Sequence, residues 1–152
     1  MKAITLTQPW ASLVAVGAKR IETRSWSTSY RGPIAIHAAK GFPGHAKRLS
    51  ESQSVRRAFG WRERPQLVTQ EWLDYIAAQI KSLPLGCVIA TANLVHCIET
   101  EMIQRYVQPF TEQERRFGNY EPRRFGFLLE NVVALPEPIP AKGALSLWEW
   151  TA

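Results

Sequence analysis

The chain has 152 residues, of which 45% are hydrophobic and 21% are charged. This length suits one domain, and this composition is typical of a globular protein and excludes a disordered chain. Nineteen basic residues, thirteen of them arginine, outnumber thirteen acidic ones and give a net charge of +6, which favours RNA or DNA as partners, with solvated surface charge as the alternative.

Two further features concern the environment of the protein. No segment approaches the about 20 apolar residues of a membrane span, and MKAITLTQPW lacks the apolar stretch of a secretion signal. We therefore expect a cytoplasmic protein without a membrane partner. Cys87 and Cys97 are the only cysteines, and their spacing matches no zinc or redox motif, so we expect two buried, reduced thiols and no metal or organic cofactor.

The first forty residues predict three strands and one helix. The β-branched run KAITL predicts a strand over residues 2–6, and Gln8 with Pro9 marks the start of a helix that ends at Gly17. RIETRSW then alternates in polarity, which predicts a second strand, and PIAIHAA predicts a third after a turn at SYRG.

Residues 41–83 are rich in arginine, glutamine and serine and are interpreted as a helical insertion, with helices at about 45–59 and 69–82. Five arginines concentrate positive charge here: Arg48, Arg56, Arg57, Arg62 and Arg64. Such a run forms either a solvated helix face or a contact with nucleic acid. A third interpretation makes the insertion a docking surface for a protein partner, with Phe59, Trp61 and Trp72 as exposed anchors.

The second half of the chain predicts further strands. LPLGCVIATANLVHCI is a long apolar run that favours a central strand buried on both sides, and a short helical segment follows over 99–117. Alternation from Phe125 predicts another core strand, PEPIPAKG is typical of an edge crossing, and ALSLWEW predicts the last strand. Strands at both ends with helices between them favour a closed or nearly closed β-barrel in a single domain.

A compact charged motif, Gly17-x-Lys19-x-x-Glu22-x-Arg24, joins the first helix to the second strand. Alternation places Glu22, Arg24 and Trp26 on one face of that strand, where the two charges can pair. If the face is buried, the pair is typical of a working site, because burying charge is costly. If it is exposed, the pair is an ordinary surface ion pair worth about 0 to 1 kcal/mol.

The motif and its surroundings resemble a known family. LTQPWASLVAVGAKRIETRSWSTSYRGPIAIHA is similar to the opening of the ASCH domain of the PUA-like superfamily, and FGNYEPRRFGFLLENV and IPAKGALSLWEW resemble its later segments. The resemblance implies an α+β fold, a PUA-like β-barrel with helices packed around a cleft. It covers residues 1–152 as one domain, with a variable helical insertion at about 41–83. It also implies binding of RNA, DNA or a modified base.

The resemblance places the charged motif at the mouth of the cleft. The candidate nucleic-acid-binding residues are Trp10, Lys19, Glu22, Arg24, Trp26, Arg31, Arg123 and Arg124. By analogy Lys19 contacts a phosphate or a base carbonyl, Glu22 accepts from an exocyclic amino group, and Arg24 binds phosphate or orients Glu22. Each has a structural alternative: Trp10 as a core residue, the charged pair as a strand staple, and the later arginines as a solvated turn.

An enzymatic function is the alternative to binding. Some small ASCH proteins are amidohydrolases that act on N4-acetylcytidine with a lysine, a threonine and a distant glutamate, and a ribonuclease activity has also been attributed to the family. Lys19 matches that lysine, whereas Glu22 stands where the threonine is expected, so Lys19 and Glu22 are the candidate catalytic residues. Thr23 is predicted to point to the opposite strand face. For the ribonuclease activity, His37, His45 and His96 offer no pair with clear acid and base roles. His37 on the third strand can reach the cleft, but a lone histidine in an apolar strand is more often a core residue.

Overall fold

The computed structural model describes residues 1–152 and consists of six strands and six α-helices. In chain order these are β1 (Lys2–Leu6), α1 (Trp10–Ala15), β2 (Ile21–Arg24), β3 (Gly32–Ala38), α2 (Gly44–Ser50), α3 (Gln53–Phe59), α4 (Gln70–Lys81), β4 (Cys87–Glu99), α5 (Ile103–Tyr106), α6 (Glu112–Arg116), β5 (Phe125–Pro140) and β6 (Leu147–Glu149). A 3₁₀ turn over Thr100–Met102 precedes α5.

The six strands form one curled sheet with the order β2-β5-β4-β3-β1-β6. β1 and β3 run parallel, and every other neighbouring pair is antiparallel. Three register shifts interrupt the long pairing of β4 with β5, and such irregularities bend a sheet. The predicted α+β, barrel-like architecture is confirmed. Its ladder stays open between β2 and β6, so the sheet is a half-barrel.

The main core lies on one face of this sheet. Alternate residues of β1 and β3, among them Ile4, Leu6, Ile34 and Ile36, pack there with Phe127 of β5. A smaller cluster on the other face of the sheet joins Ala3, Ala35 and Val88 to Trp150. Because side chains alternate along a strand, each of the central strands contributes to both clusters.

Helix α1 lies against the sheet and is anchored by Gln8. The Gln8 side chain is fully buried, accepts a hydrogen bond from Ser12 N–H at 3.1 Å, and donates to Ser12 Oγ and Pro84 O, both at 2.8 Å. It therefore satisfies an amide in the first turn of the helix, as capping side chains do. Leu13 packs with Val55 and Phe117, which fixes α1 against α3 and the end of α6.

Two predicted elements differ from the observed ones. The helix predicted over 45–59 is two helices, because Ser52 begins α3 by accepting from Val55 N–H. The predicted edge crossing is part of β5, with Pro136 and Pro138 in an irregular stretch where the β4 pairing shifts register. Proline lacks an N–H, and it is tolerated there because that stretch makes no ladder contacts.

The helical segment between β3 and β4 buries some residues expected on its surface. Arg56 is 5% exposed, donates to Glu51 O, and lies over the Trp72 ring at 5.7 Å. Phe59 and Trp61 are half-buried against each other, with ring centroids 5.1 Å apart. Trp72 is half-buried as well, so none of the three aromatic residues that the docking interpretation treats as exposed anchors is fully exposed.

Both cysteines are free thiols, as predicted, although only one of them is buried. Cys87 lies in the main core, and burial raises the pKa of its thiol. Cys97 is half-buried. No helix has the length and apolar character needed to cross a bilayer.

Candidate functional site

The charged motif begins where α1 ends. Gly17 has a φ of 79°, a left-handed conformation that favours glycine, and the N–H groups of Ala18 and Lys19 then both donate to Leu13 O at 2.9 and 3.0 Å. This turn reverses the chain into β2 and points Lys19 back toward the strand that follows it.

Lys19, Glu22 and Arg24 form one continuous charged network. Lys19 Nζ lies 3.2 Å from Glu22 Oε2 and also donates to Ile21 O, while Glu22 Oε1 lies 3.1 Å from Arg24 Nε. The Lys19 side chain is 1% exposed, that of Glu22 12% and that of Arg24 25%. The charged motif is therefore a partly buried network and not a surface ion pair. Charges at this depth are tolerated because each has a partner of opposite sign.

Two adjoining cavities of about 270 and 310 Å³ open beside this network and share Trp10, Glu22 and Thr23 as walls. We call them together the Glu22 cleft. Arg24 and Trp26 line the larger cavity. Ligand pockets in proteins occupy about 300 to 1,000 Å³, so the cleft has room for one small planar group.

Besides the charged network, three other candidate nucleic-acid-binding residues border this cleft. Trp10 is the first residue of α1 and is half-buried between both cavities. Trp26 packs edge-on against Phe127, with centroids 5.0 Å apart. Arg124 borders the larger cavity, where its guanidinium donates to Asn119 O at 3.2 Å and Thr23 O at 3.4 Å.

Arg31 and Arg123 do not line the cleft. Arg31 is exposed and donates to Thr28 O and Tyr30 O, the carbonyls of its own loop. Arg123 is also exposed and sits in a left-handed turn with a φ of 64°, its N–H bonded to Glu101 Oε1 at 2.8 Å. The structure therefore separates these two arginines from the six residues that it brings together.

The histidines lie in three different places. His37 does not line the cleft: it is buried, as the core-residue interpretation predicts, and its ring borders a cavity on another part of the sheet and approaches Ala141 O at 3.0 Å. His45 lies beside Trp10, with ring centroids 6.4 Å apart, and His96 borders a third cavity. Alternation predicted that Thr23 points away from Glu22, but Thr23 borders both cavities of the cleft together with Glu22. The residue is buried, and its hydroxyl accepts from Asn119 N–H at 3.0 Å.

The sequence reasoning missed the contribution of residues 112–120. Arg116 and Asn119 line the smaller cavity of the cleft. Glu114, 3% exposed, accepts from the N–H groups of Arg20 and Ile21 at 2.9 to 3.1 Å and so holds the start of β2. These partners are more than ninety positions apart in the chain, so no local pattern indicates them.

Tyr120 lies close to both carboxylates of this region. Burial raises the pKa of its phenol far above the ordinary range, and the Glu114 and Glu22 carboxylates add to that effect. The hydroxyl has no hydrogen-bond partner in the protein. Tyr120 therefore stays neutral beside the cleft.

Comparison with known proteins assigns the class. The ASCH domain family model matches residues 4–135, so the chain belongs to the ASCH domain family, as the motif resemblance predicted. Activating signal cointegrator 1 from Mus musculus and from Homo sapiens are each 28% identical over 146 residues, which cover 96% of this chain and 22% of the relative. The chain thus spans about a fifth of the length of these relatives.

Solved structures show the same fold. The ASCH protein from Zymomonas mobilis and a point mutant of that protein each superimpose with a TM-score of 0.52 over 99% of this chain, and over 87% and 89% of theirs. Sequence identity is 15% and 16%, so the likeness concerns the fold alone.

Proposed function

We propose that this chain binds nucleic acid, RNA or DNA, by taking an unpaired base into the Glu22 cleft. The observation that supports this most strongly is the Glu22 carboxylate, fixed between Lys19 and Arg24 at a cavity walled by Trp10. A carboxylate in a defined position accepts a hydrogen bond from the exocyclic amino group of cytosine or adenine. Family membership is consistent with such a ligand.

The exposure of each side chain suggests its role. Lys19 is almost fully buried, so it fixes the orientation of Glu22 and leaves contact with the base to the carboxylate. Arg24 is a quarter exposed, and Arg124 borders the same cavity, which suits both guanidinium groups to a phosphate. Trp10 and Trp26 offer aromatic surface, and stacking of one base on such surface contributes about 1 to 3 kcal/mol.

A cavity of this size favours a single-stranded ligand. A base reaches a pocket of about 310 Å³ only when it is unstacked, and unstacking is least costly in a single strand. We therefore expect single-stranded oligonucleotides to bind more tightly than a duplex of the same length.

The test measures the affinity of labelled RNA and DNA oligonucleotides by fluorescence anisotropy at several salt concentrations. Arg24→Ala and Arg124→Ala should each weaken binding about tenfold and reduce the salt slope, because each removes a phosphate contact. Arg105→Ala is the matched control, since Arg105 is exposed and borders no part of the cleft. Oligo-C and oligo-A should bind more tightly than oligo-U, because uracil has no exocyclic amino group.

Equal affinities for the Arg24 variant and the Arg105 control would contradict the proposal, as would binding that is insensitive to salt. In a separate experiment the protein is incubated with N4-acetylcytidine, and chromatography measures whether the deacetylated product forms. Lys19 is 1% exposed and Thr23 already accepts a bond from Asn119, so we expect no deacetylation. Turnover that is lost in Lys19→Met would replace binding by catalysis as the function of the cleft.

A further inference from the structure

A second and larger cavity, of about 940 Å³, lies where β3 ends and the chain enters β6. Its walls include Thr5, His37, Lys40, Leu85, Lys142 and Leu145. We call it the lysine cavity. It shares only Thr5 with the Glu22 cleft.

The charge of this cavity is positive and uncompensated. Lys40 and Lys142 are exposed, neither forms an ion pair within the chain, and no acidic residue lines the cavity. In the Glu22 cleft, by contrast, the carboxylate of Glu22 offsets two of the cations. Two unpaired ammonium groups at one cavity suit an anion, because they can donate to it without first breaking an internal pair.

The floor of the lysine cavity holds an unsatisfied polar atom. His37 is 2% exposed, and its Nε2 donates to Ala141 O at 3.0 Å, since a carbonyl can only accept. Its Nδ1 has no partner in the protein. With the proton on Nε2, Nδ1 can only accept. Leaving a buried polar atom unpaired costs about 1 to 3 kcal/mol, so a ligand hydroxyl or amino group that donates to this nitrogen gains an available hydrogen bond.

Gly143 packs directly against His37 Nδ1. A Cβ atom at Gly143 would lie 2.7 Å from His37 Nδ1 and 2.8 Å from Thr5 Oγ1. The loop packs so closely on the imidazole only because position 143 has no side chain. The backbone at Gly143 therefore separates Nδ1 from the open part of the cavity.

The rim of the cavity is apolar. Leu85 is 42% exposed and Leu145 is 92% exposed. A ligand that suits both the ammonium groups and this rim combines a phosphate with a flat, weakly polar body. A nucleotide has that composition.

The connection between the two cavities suggests the source of this nucleotide. Thr5 O accepts a hydrogen bond from Arg24 Nη2 at 2.6 Å at the edge of the Glu22 cleft, and Thr5 Oγ1 accepts from Trp148 Nε1 at 3.1 Å beside His37. We propose that the lysine cavity is a second binding site for a phosphate-bearing group, occupied by a further nucleotide of the strand whose base enters the Glu22 cleft. This inference rests on the proposed function.

The experiment compares oligonucleotides of about 3 and about 10 nucleotides. The shorter strand is expected to fill the Glu22 cleft, and the longer one has further nucleotides that can occupy the lysine cavity. Lys40→Ala/Lys142→Ala should weaken binding of the longer strand about tenfold and lower its salt slope by about 1.4, the value expected for two lost contacts to single-stranded phosphates. The short strand should bind the variant and the wild type equally. Lys47→Ala/Lys81→Ala removes the same charge outside the cavity and is the control.

Equal loss of affinity in the two double variants would overturn the second site, because the effect would then come from net charge alone. If wild type binds both lengths equally, and the lysine variant abolishes binding of free AMP, the cavity takes a free nucleotide and the strand arrangement is wrong. If wild type binds neither strand, the proposed function itself fails. That result differs from failure of the second site, in which the short strand still binds and Arg24→Ala still weakens it.

Discussion

Two glutamates beside the same strand are satisfied in opposite ways. Glu22 is held by the ammonium of Lys19 and the guanidinium of Arg24 and faces a cavity. Glu114 is more deeply buried and is held by the backbone N–H groups of Arg20 and Ile21, with no cation paired to it. The contrast shows that burial of a carboxylate does not indicate its role. Its partners do, because backbone amides fix the fold, whereas side-chain cations beside a cavity can be shared with a ligand.

The largest expected effect comes from removing the carboxylate that has backbone partners. Glu114→Ala leaves the N–H groups at the start of β2 unpaired, so the free energy of unfolding should fall by about 3 kcal/mol in urea denaturation. Glu112→Ala, in the same helix, removes only exposed ion pairs to Arg115 and Arg116 and should change it by less than about 0.5 kcal/mol. Similar losses in both variants would show that Glu114 does not hold β2.

A smaller effect is expected at the other carboxylate. Lys19→Met keeps the buried volume but removes one of two cations from Glu22, and the free energy of unfolding should fall by about 1 to 2 kcal/mol because Arg24 still pairs with the carboxylate. Binding of oligonucleotides should weaken in this variant while it remains folded at 25 °C by circular dichroism. A loss of stability larger than that of Glu114→Ala would make the charged network a structural staple and remove the contrast.

The smallest effect on stability is expected at Tyr120. Burial raises the pKa of its phenol, and the Glu114 and Glu22 carboxylates raise it further. Its hydroxyl has no partner, so Tyr120→Phe should change the free energy of unfolding by less than about 0.5 kcal/mol at pH 7. The raised pKa stabilises the fold below the ordinary tyrosine value of about 10, and this contribution is lost as the pH rises toward the folded value. Thermal melts from about pH 8 to pH 11 should therefore decline less in the phenylalanine variant. A clear loss at pH 7 would indicate a hydrogen bond to the hydroxyl.

Much of the β2 region was predictable because its determinants are local. Gly17 ends a helix through its own backbone freedom, and strand alternation places Glu22 and Arg24 on one face. The burial of Lys19 was not predictable from spacing, because it depends on how α1 packs against the sheet. That packing buries Lys19 with its ammonium 3.2 Å from Glu22 Oε2.

Other parts of the site depend on long-range contacts that a local pattern misrepresents. Thr111 and Glu114 have the spacing of a capping box, in which the glutamate bonds to the N–H of its own N-cap residue. In the structure Thr111 does cap the helix, but Glu114 instead bonds to Arg20 and Ile21. At Arg31 the contacts are local instead: its guanidinium donates to two carbonyls of its own loop. The SYRG motif in the sequence does not reveal these bonds.

The hydrogen bond from Arg24 to Thr5 O has a consequence for the motion of the half-barrel. The sheet is open between its edge strands β2 and β6, and the Arg24 side chain reaches from β2 to Thr5 O of the neighbouring β1, at 2.6 Å. A phosphate that binds Arg24 competes with this hydrogen bond, so ligand binding removes a contact between β2 and β1. Amide hydrogen exchange along β2 should therefore become faster on binding, while exchange in the paired centre of β3 and β4 stays slow.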